Sequence, residues 1–396
     1  MDGLYFRRML RLLSIVLSMV TFGESFANDM KTINIGILTT SKATSVQAII
    51  EQGAYRIWAD GKVLSQMNPK QRFTAVWRAN LIELHVQGKV LGSYRRIRLE
   101  AADSTGIFRL FVLSPNRIER VYDDDLHLGI LGKHIKMVNL VDLEKYVAGV
   151  VEAESGKEKH LEFYKVQSII SRTYALSNAR KHLHEGFNLN DMVDCQVYHG
   201  RARWEPIIWD AVMDTRGKVL VDSEMKLITA AFHSNSGGET VPSDWVWSVA
   251  LPYLSPRKDE FSVAGTKYEW HKTVLTEAWL NYLKKKWGYD TTQPELREQA
   301  LTFSQPVRQV YFLAPEHKIP LKDVRKDWSL RSTFFDVIHM GDSVRFTGRG
   351  FGHGIGLSQE GAMRMADLGF EYTEILHFYY TNVHIVERKA LTFYRQ

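Results

Sequence analysis

Glu154 is the residue of this chain best placed for proton-transfer chemistry. The segment Leu143 to Glu154 reads as a short helix that Gly156 is positioned to stop. Val147, Val150 and Val151 precede Glu154 by seven, four and three residues, so all four fall on one stripe. A carboxyl group on an apolar stripe is poorly solvated, which raises its pKa and keeps it protonated for general-acid work. The competing assignment is a glutamate at a frayed helix end, paired with a lysine. Glu152 lies off the stripe and is expected to be solvated.

Lys165 and Arg172 lie seven apart on a second expected helix, His160 to Ala179, and therefore share a face. Two cations there suit a carboxylate-bearing ligand or developing negative charge, or simply a solvated stripe. Phe232-His233-Ser234-Asn235-Ser236-Gly237-Gly238 follows an expected strand, Leu227 to Phe232, and suits a tight turn. It is no serine-hydrolase elbow, because G-x-S-x-G is absent and neighbouring His233 and Ser234 do not make a triad. The glycines from Gly348 to Gly356 recur at every second residue, the period of a strand. One face would be bare backbone, open to close approach by a bulky polymer. They match neither G-x-G-x-x-G nor a G-K-[ST] phosphate loop. Cys195 and His199, four apart, have a spacing that ligates zinc on a helix, but two ligands are not a site.

These residues need a scaffold. Residues 28–137 alternate like strands, as in Ile33 to Leu38 and Ile107 to Leu113, and carry no titratable cluster of obvious chemical use. They are expected to support or bind. From 138 to 396 helices and strands mix, with a helical insert over 259–320, a strand over 342–347 and two C-terminal helices. The expected fold class is α+β. Arg7, Arg8 and Arg11 precede the apolar stretch Leu12 to Phe22 and the small-x-small site Ser25-Phe26-Ala27, so residues 1–27 read as an export signal. No later stretch is long and apolar enough to span a bilayer. The single cysteine excludes internal disulfides, so core packing must supply stability. The formal charge of +6 favours anionic polymers without choosing among them. A nucleic-acid partner is not expected, because no recognition motif accompanies the charge.

Taken in order, these motifs resemble the SpoIID/LytB family. They begin with Tyr146-Val147-Ala148-Gly149-Val150-Val151-Glu152-Ala153-Glu154, Lys165-Val166-Gln167 and Ser171-Arg172-Thr173-Tyr174. They continue with Cys195-Gln196-Val197-Tyr198, His233 to Gly238, Pro252-Tyr253-Leu254 and Trp270. Gly348 to Gln359, Gly361-Ala362 and Tyr379-Tyr380 close the series. The resemblance runs from about Val138 to Tyr380. It implies a lytic transglycosylase that cuts MurNAc–GlcNAc bonds in peptide-stripped glycan strands, leaving 1,6-anhydro ends. Glu154 would be its acid and then its base. Lys165 and Arg172 fall on the family's basic positions, and Gln196, Tyr198, Ser236, His353, Gln359 and Tyr380 would line the groove. The alternative that the family offers is a glycan-binding enhancer of a cell-wall amidase.

Two departures stand out. Ser155-Gly156 replaces a common Met-Pro. Where some relatives bind zinc through two cysteines and a histidine, Leu189 and Asp194 replace two of the three. No cofactor is therefore expected, and Cys195, Asp194 and His199 are the residues a metal would have to use.

Overall fold

The computed structural model describes residues 30–393 except 158 and 314; the expected export signal lies outside the described residues. Strands and helices mix in several sheets, an α+β architecture. No helix among the described residues is long and apolar enough to cross a membrane. The chain forms two compact units. One comprises residues 30–221, 225–229 and 385–393, the other residues 222–224 and 230–384.

Twelve strands build most of the first unit: β1 (Thr32–Gly36), β2 (Ser45–Gln52), β3 (Tyr55–Ala59), β4 (Lys62–Met67), β5 (Arg72–Arg78), β6 (Leu81–Val86), β7 (Lys89–Tyr94), β8 (Ile97–Ala101), β9 (Ile107–Ser114), β10 (Ile118–Asp123), β11 (Asp125–Leu131) and β12 (His134–Asp142). One sheet runs β10-β9-β2-β5-β6-β7. The other runs β1-β12-β11-β8-β3-β4, with the short β13 (Leu189–Asn190) parallel beside β1. Alternation sets the faces: Ile57, Leu99 and Leu126 point inward from one sheet, and Ala75, Leu84 and Leu110 from the other, all fully buried. Tyr55 meets Phe108 edge-on at 6.4 Å between the sheets.

The boundary expected at residue 137 falls inside β12. That strand pairs with β1 along its whole second half, from Val138 to Asp142. The β-rich region and the first two helices therefore share one unit. Those helices are α1 (Leu143–Ser155) and α2 (Leu161–Ser177), followed by α3 (Pro206–Asp214) and β14 (Lys218–Val221).

In the second unit the antiparallel strands Glu269–Leu275, Ser343–Arg349 and Phe335–Met340 form a sheet. Helices α4 (Thr276–Trp287) and α5 (Pro294–Leu301) form the expected helical insert. Trp279 of α4 is fully buried, donates its indole N–H to Ala300 O at 2.9 Å and meets Phe346 edge-on at 5.1 Å. The expected strand Leu227 to Phe232 shrinks to Phe232–His233, with Leu227 making only an isolated bridge to Val221.

Candidate active site

Helix α1 is built to present Glu154. Asp142 caps its start by accepting from Glu144 N at 2.8 Å, and Gly156 ends it with φ 70°. Val147, Val150 and Val151 are completely buried, at about 1.5 kcal/mol or more each, and they anchor the face that Glu154 continues. Glu154 is half-buried, and its Oε1 accepts from Val197 N at 3.0 Å. Burial raises the carboxyl pKa, an effect that this one N–H only partly offsets.

The loop bearing Val197 sits tight against α1. A Cβ at Gly149 would lie 2.2 Å from Gly200 O and 2.6 Å from the Tyr198 ring. Gly149→Ala is therefore expected to push the loop away from Glu154, costing about 1–3 kcal/mol of stability. Turnover should fall about tenfold or more, a reading that a melting curve and a rate assay would check together. Unchanged turnover would mean that the Val197 contact is dispensable.

Glu152 corrects the expectation of a solvated side chain. Its carboxylate accepts from Arg203 N at 2.9 Å, Trp204 N at 2.6 Å and Glu205 N at 3.3 Å, at the start of α3. It fastens the loop to α1. The loop displays Trp204, 59% exposed, with the Lys157 ammonium 5.1 Å and the Arg203 guanidinium 4.7 Å from its ring centre. Trp209 on α3 is 44% exposed. Sequence reasoning passed over both tryptophans. The signal was Trp204 in a polar loop two residues before Pro206, which opens a helix.

The remaining expected site residues divide. Lys165 is paired with Glu162 at 2.9 Å and Asp214 at 3.3 Å. Arg172 is fully buried and grips Glu144 through Nε at 3.0 Å and Nη2 at 2.5 Å. It also donates to the carbonyls of Lys218 and Val212. Helical spacing gave it the right face, but at Arg172 that face is covered by α1 and α3. Tyr198 is also buried, its ring tilted against Tyr146 at 5.0 Å and its hydroxyl donating to Asn139 Oδ1 at 3.0 Å. Gln196 accepts from Tyr146 OH at 3.3 Å, while its buried Nε2 has no partner among the described residues.

Ser236, His353, Gln359 and Tyr380 lie in the second unit. Ser236 is buried, with Oγ 2.7 Å from Asp259 Oδ2, and Tyr380 is buried with its hydroxyl on Ala231 O at 2.8 Å. His353 is half-buried, and burial together with Arg325 pushes its imidazole down to about 4, so it is neutral. Gln359 is buried, with Nε2 unpartnered among the described residues. His233 directs Nδ1 to Ile355 O at 3.1 Å and not to Ser234, which agrees with the absence of a triad.

The glycine series is not a strand beyond Arg349. Gly350, Gly352, Gly354 and Gly356 all have positive φ, a conformation that favours glycine. What approaches them is the chain itself: a Cβ at Gly350 would meet Gly237 N at 2.7 Å, one at Gly356 Ala231 O at 2.3 Å, one at Gly352 the His233 Cβ at 2.6 Å and one at Gly354 the Arg308 guanidinium at 3.1 Å. The alternation seen in the sequence thus marks a seam between two loops and not a surface for a polymer.

The metal-ligating residues also regroup. Residues 191–205 are not helical, and exposed His199 stands outside the cluster that His182, Asp194 and Cys195 form with donor atoms within 4.8 Å of one another. His182 could not be found from spacing, being twelve residues from Asp194 across a loop. The Lys181 ammonium lies 3.5 Å from Asp194 Oδ2 and also binds the Asp194 carbonyl, while burial raises the Cys195 thiol. A lysine thus supplies positive charge beside these three donor groups.

The family model described as stage II sporulation protein, SpoIID, matches residues 132–221, which hold β12, α1, α2, α3 and the 196–200 loop. Stage II sporulation protein D of Bacillus subtilis (strain 168) is 31% identical over 269 residues, covering 64% of this chain and 77% of that protein. Its counterpart from Bacillus amyloliquefaciens is 31% identical over 266 residues, covering 63% of this chain and 76% of that protein. The amidase enhancer of Bacillus subtilis (strain 168) is 28% identical over 284 residues, covering 59% of this chain but 39% of that protein. The chain is a member of the SpoIID family, with the role in the cell wall that this membership carries.

Proposed function

We propose that this chain is an exported lytic transglycosylase of peptide-stripped peptidoglycan strands, with Glu154 as its single acid/base and no cofactor. One observation carries the reading. Glu154 is a half-buried carboxyl with a raised pKa, and the nearest carboxylate in sequence, Glu152, is engaged by three backbone N–H groups of the neighbouring loop. Hydrolysis by most glycosidases needs two carboxylates. An intramolecular transfer needs one.

In this mechanism protonated Glu154 gives its proton to the oxygen bridging MurNAc and GlcNAc, and the bond from MurNAc C1 to that oxygen breaks. The resulting carboxylate then takes the proton of the MurNAc 6-hydroxyl as that oxygen bonds to C1. Glu154 ends protonated, no water is consumed, and the products are a 1,6-anhydro end and a free GlcNAc hydroxyl. Residues 138–396 would form the catalytic part and residues 28–137 its support. The tryptophan and cations of the 203–204 loop offer an aromatic, basic surface near the end of α1.

The likeness to an amidase enhancer supports a second reading, in which the chain holds glycan for a separate amidase. Mass spectrometry of amidase-stripped strands incubated with the mature protein separates them. Anhydro-MurNAc ends from the native chain but not from Glu154→Gln are the expected result. Hydrolysed reducing ends would overturn the anhydro mechanism. Binding without cleavage, with amidase activity raised equally by the native chain and Glu154→Gln, would establish the enhancer.

A further inference from the structure

The outward face of the sheet β1-β12-β11-β8-β3-β4 is built differently from its apolar inner face. Trp58 on β3, Arg98 on β8, His127 on β11 and Val138 on β12 stand in register, making one row across four strands. Gly129 and Lys136, paired in the same ladder two residues along, begin the next row. These rows form the floor of an open cavity of about 940 Å³. That is large enough for a ligand of drug-like size or somewhat more. Apart from Lys136 and Val138 on β12 and Gly186, the lining lies outside the segment that the family model matches.

The lining is cationic. Arg95, Arg96, Arg98 and Lys136 face one acid, Asp60. Both Asp60 oxygens are already engaged, by Arg96 N at 2.9 Å and Arg95 N at 3.2 Å. The exposed side chains of Arg95 and Arg96 make no ion pair among the described residues, and Lys136 rests on the Glu185 carbonyl at 3.0 Å rather than on a carboxylate. Glu100, beside the row, is shared by Arg98 at 3.4 Å, Arg56 at 3.7 Å and the indole N–H of Trp58. It cannot neutralise the cavity.

Two buried polar atoms in the row, Arg98 Nε and His127 Nε2, have no partner among the described residues. Polar atoms left unbonded in a row beside a cationic cavity are groups that an oxygen-rich ligand or water can engage. Around these groups, the half-buried ring of Trp58 offers apolar surface and Gly129 has no side chain to obstruct it. Guanidinium groups over an apolar floor suit a molecule with carboxylates on one side and C–H surface on the other.

We infer that this face is a second glycan site, which holds a carboxylate-bearing saccharide strand through Arg95, Arg96 and Arg98 at a place distinct from Glu154. The inference rests on the reading of the chain as a protein of denuded glycan strands, whose lactyl groups are such carboxylates. It makes the β-rich region a carrier of substrate as well as a support.

The test is equilibrium binding of amidase-stripped strands to the full mature chain carrying Glu154→Gln, which holds turnover constant at zero. Adding Arg95→Glu and Arg96→Glu, both at exposed side chains, should weaken binding tenfold or more without moving the melting temperature. Arg96→Ala alone, the milder variant, should weaken it severalfold. Strands whose carboxylates have been amidated should bind the Glu154→Gln chain as weakly as native strands bind the charge-reversed one. Equal binding by the native-groove and charge-reversed chains would overturn the inference. So would undiminished binding of amidated strands. Poly(glycerol phosphate) displacing strands from the groove at equal or lower concentration would replace the carboxylate glycan with a phosphodiester polymer and overturn it too. Loss of anhydro products in the cleavage assay, with groove-dependent binding intact, would strike the catalytic proposal and leave this site standing.

Discussion

Replacing Glu154 with glutamine is expected to abolish anhydro-product formation, with a loss of about 10²–10⁴ in turnover and little change in strand binding. The amide keeps the shape, and its oxygen can still accept from Val197 N, which now stands 3.0 Å from Oε1. What it loses is the proton. The pKa of Glu154 also sets the pH behaviour. Burial raises it in the folded chain, so the general acid stays protonated beyond the ordinary carboxylate range near pH 4.3. The alkaline limb of kcat should therefore lie above that range.

Stability follows with the opposite consequence. Ionising Glu154 is harder in the folded state than in the unfolded one. Its penalty is absent below the unfolded pKa and complete above the raised, folded one, so this group's contribution falls as pH rises through that window. Glu154→Gln removes the penalty, and at neutral pH the variant should melt at the same temperature as the native chain or higher. A variant that melts clearly lower would mark Glu154 as a structural pairing residue. A variant that still makes anhydro ends would remove Glu154 from the mechanism.

Periodicity made Glu154 legible because its position depends on one helix and three valines. The caps of α1, the insert and the two C-terminal helices, Gln359–Asp367 and Tyr372–Tyr379, follow from the same local signals. Where position depended on depth, sequence could not decide. Lys165 and Arg172 share a face, yet one is near the rim and the other is sealed between helices. Glycines at every second residue look extended, but backbone handedness is not written in spacing, and positive φ turned that run into a seam. His182 joined Asp194 and Cys195 through a loop whose path no period predicts. The row Trp58, Arg98, His127 and Val138 was invisible for a related reason. Its members are dozens of residues apart and become neighbours only through strand register.

Arg172→Ala is expected to cost about 3–5 kcal/mol of stability, because it leaves Glu144 buried and unpaired. Arg172 has no exposure, and every arm of its guanidinium is used: Nε and Nη2 on Glu144, Nη1 on Lys218 O and Nη2 on Val212 O. It thereby ties α2 to α1, α3 and β14. Arg172→Lys keeps the charge but not the two-pronged grip, so its melting temperature should fall between those of the native chain and Arg172→Ala. Arg172→Met combined with Glu144→Leu should recover most of the loss, since both buried charges are then gone. Denaturant melts of the four proteins check this order. The same variants decide whether Arg172 also touches substrate. A structural residue leaves the KM of the still-folded protein unchanged. A raised KM with an unmoved melting midpoint would return Arg172 to the substrate groove.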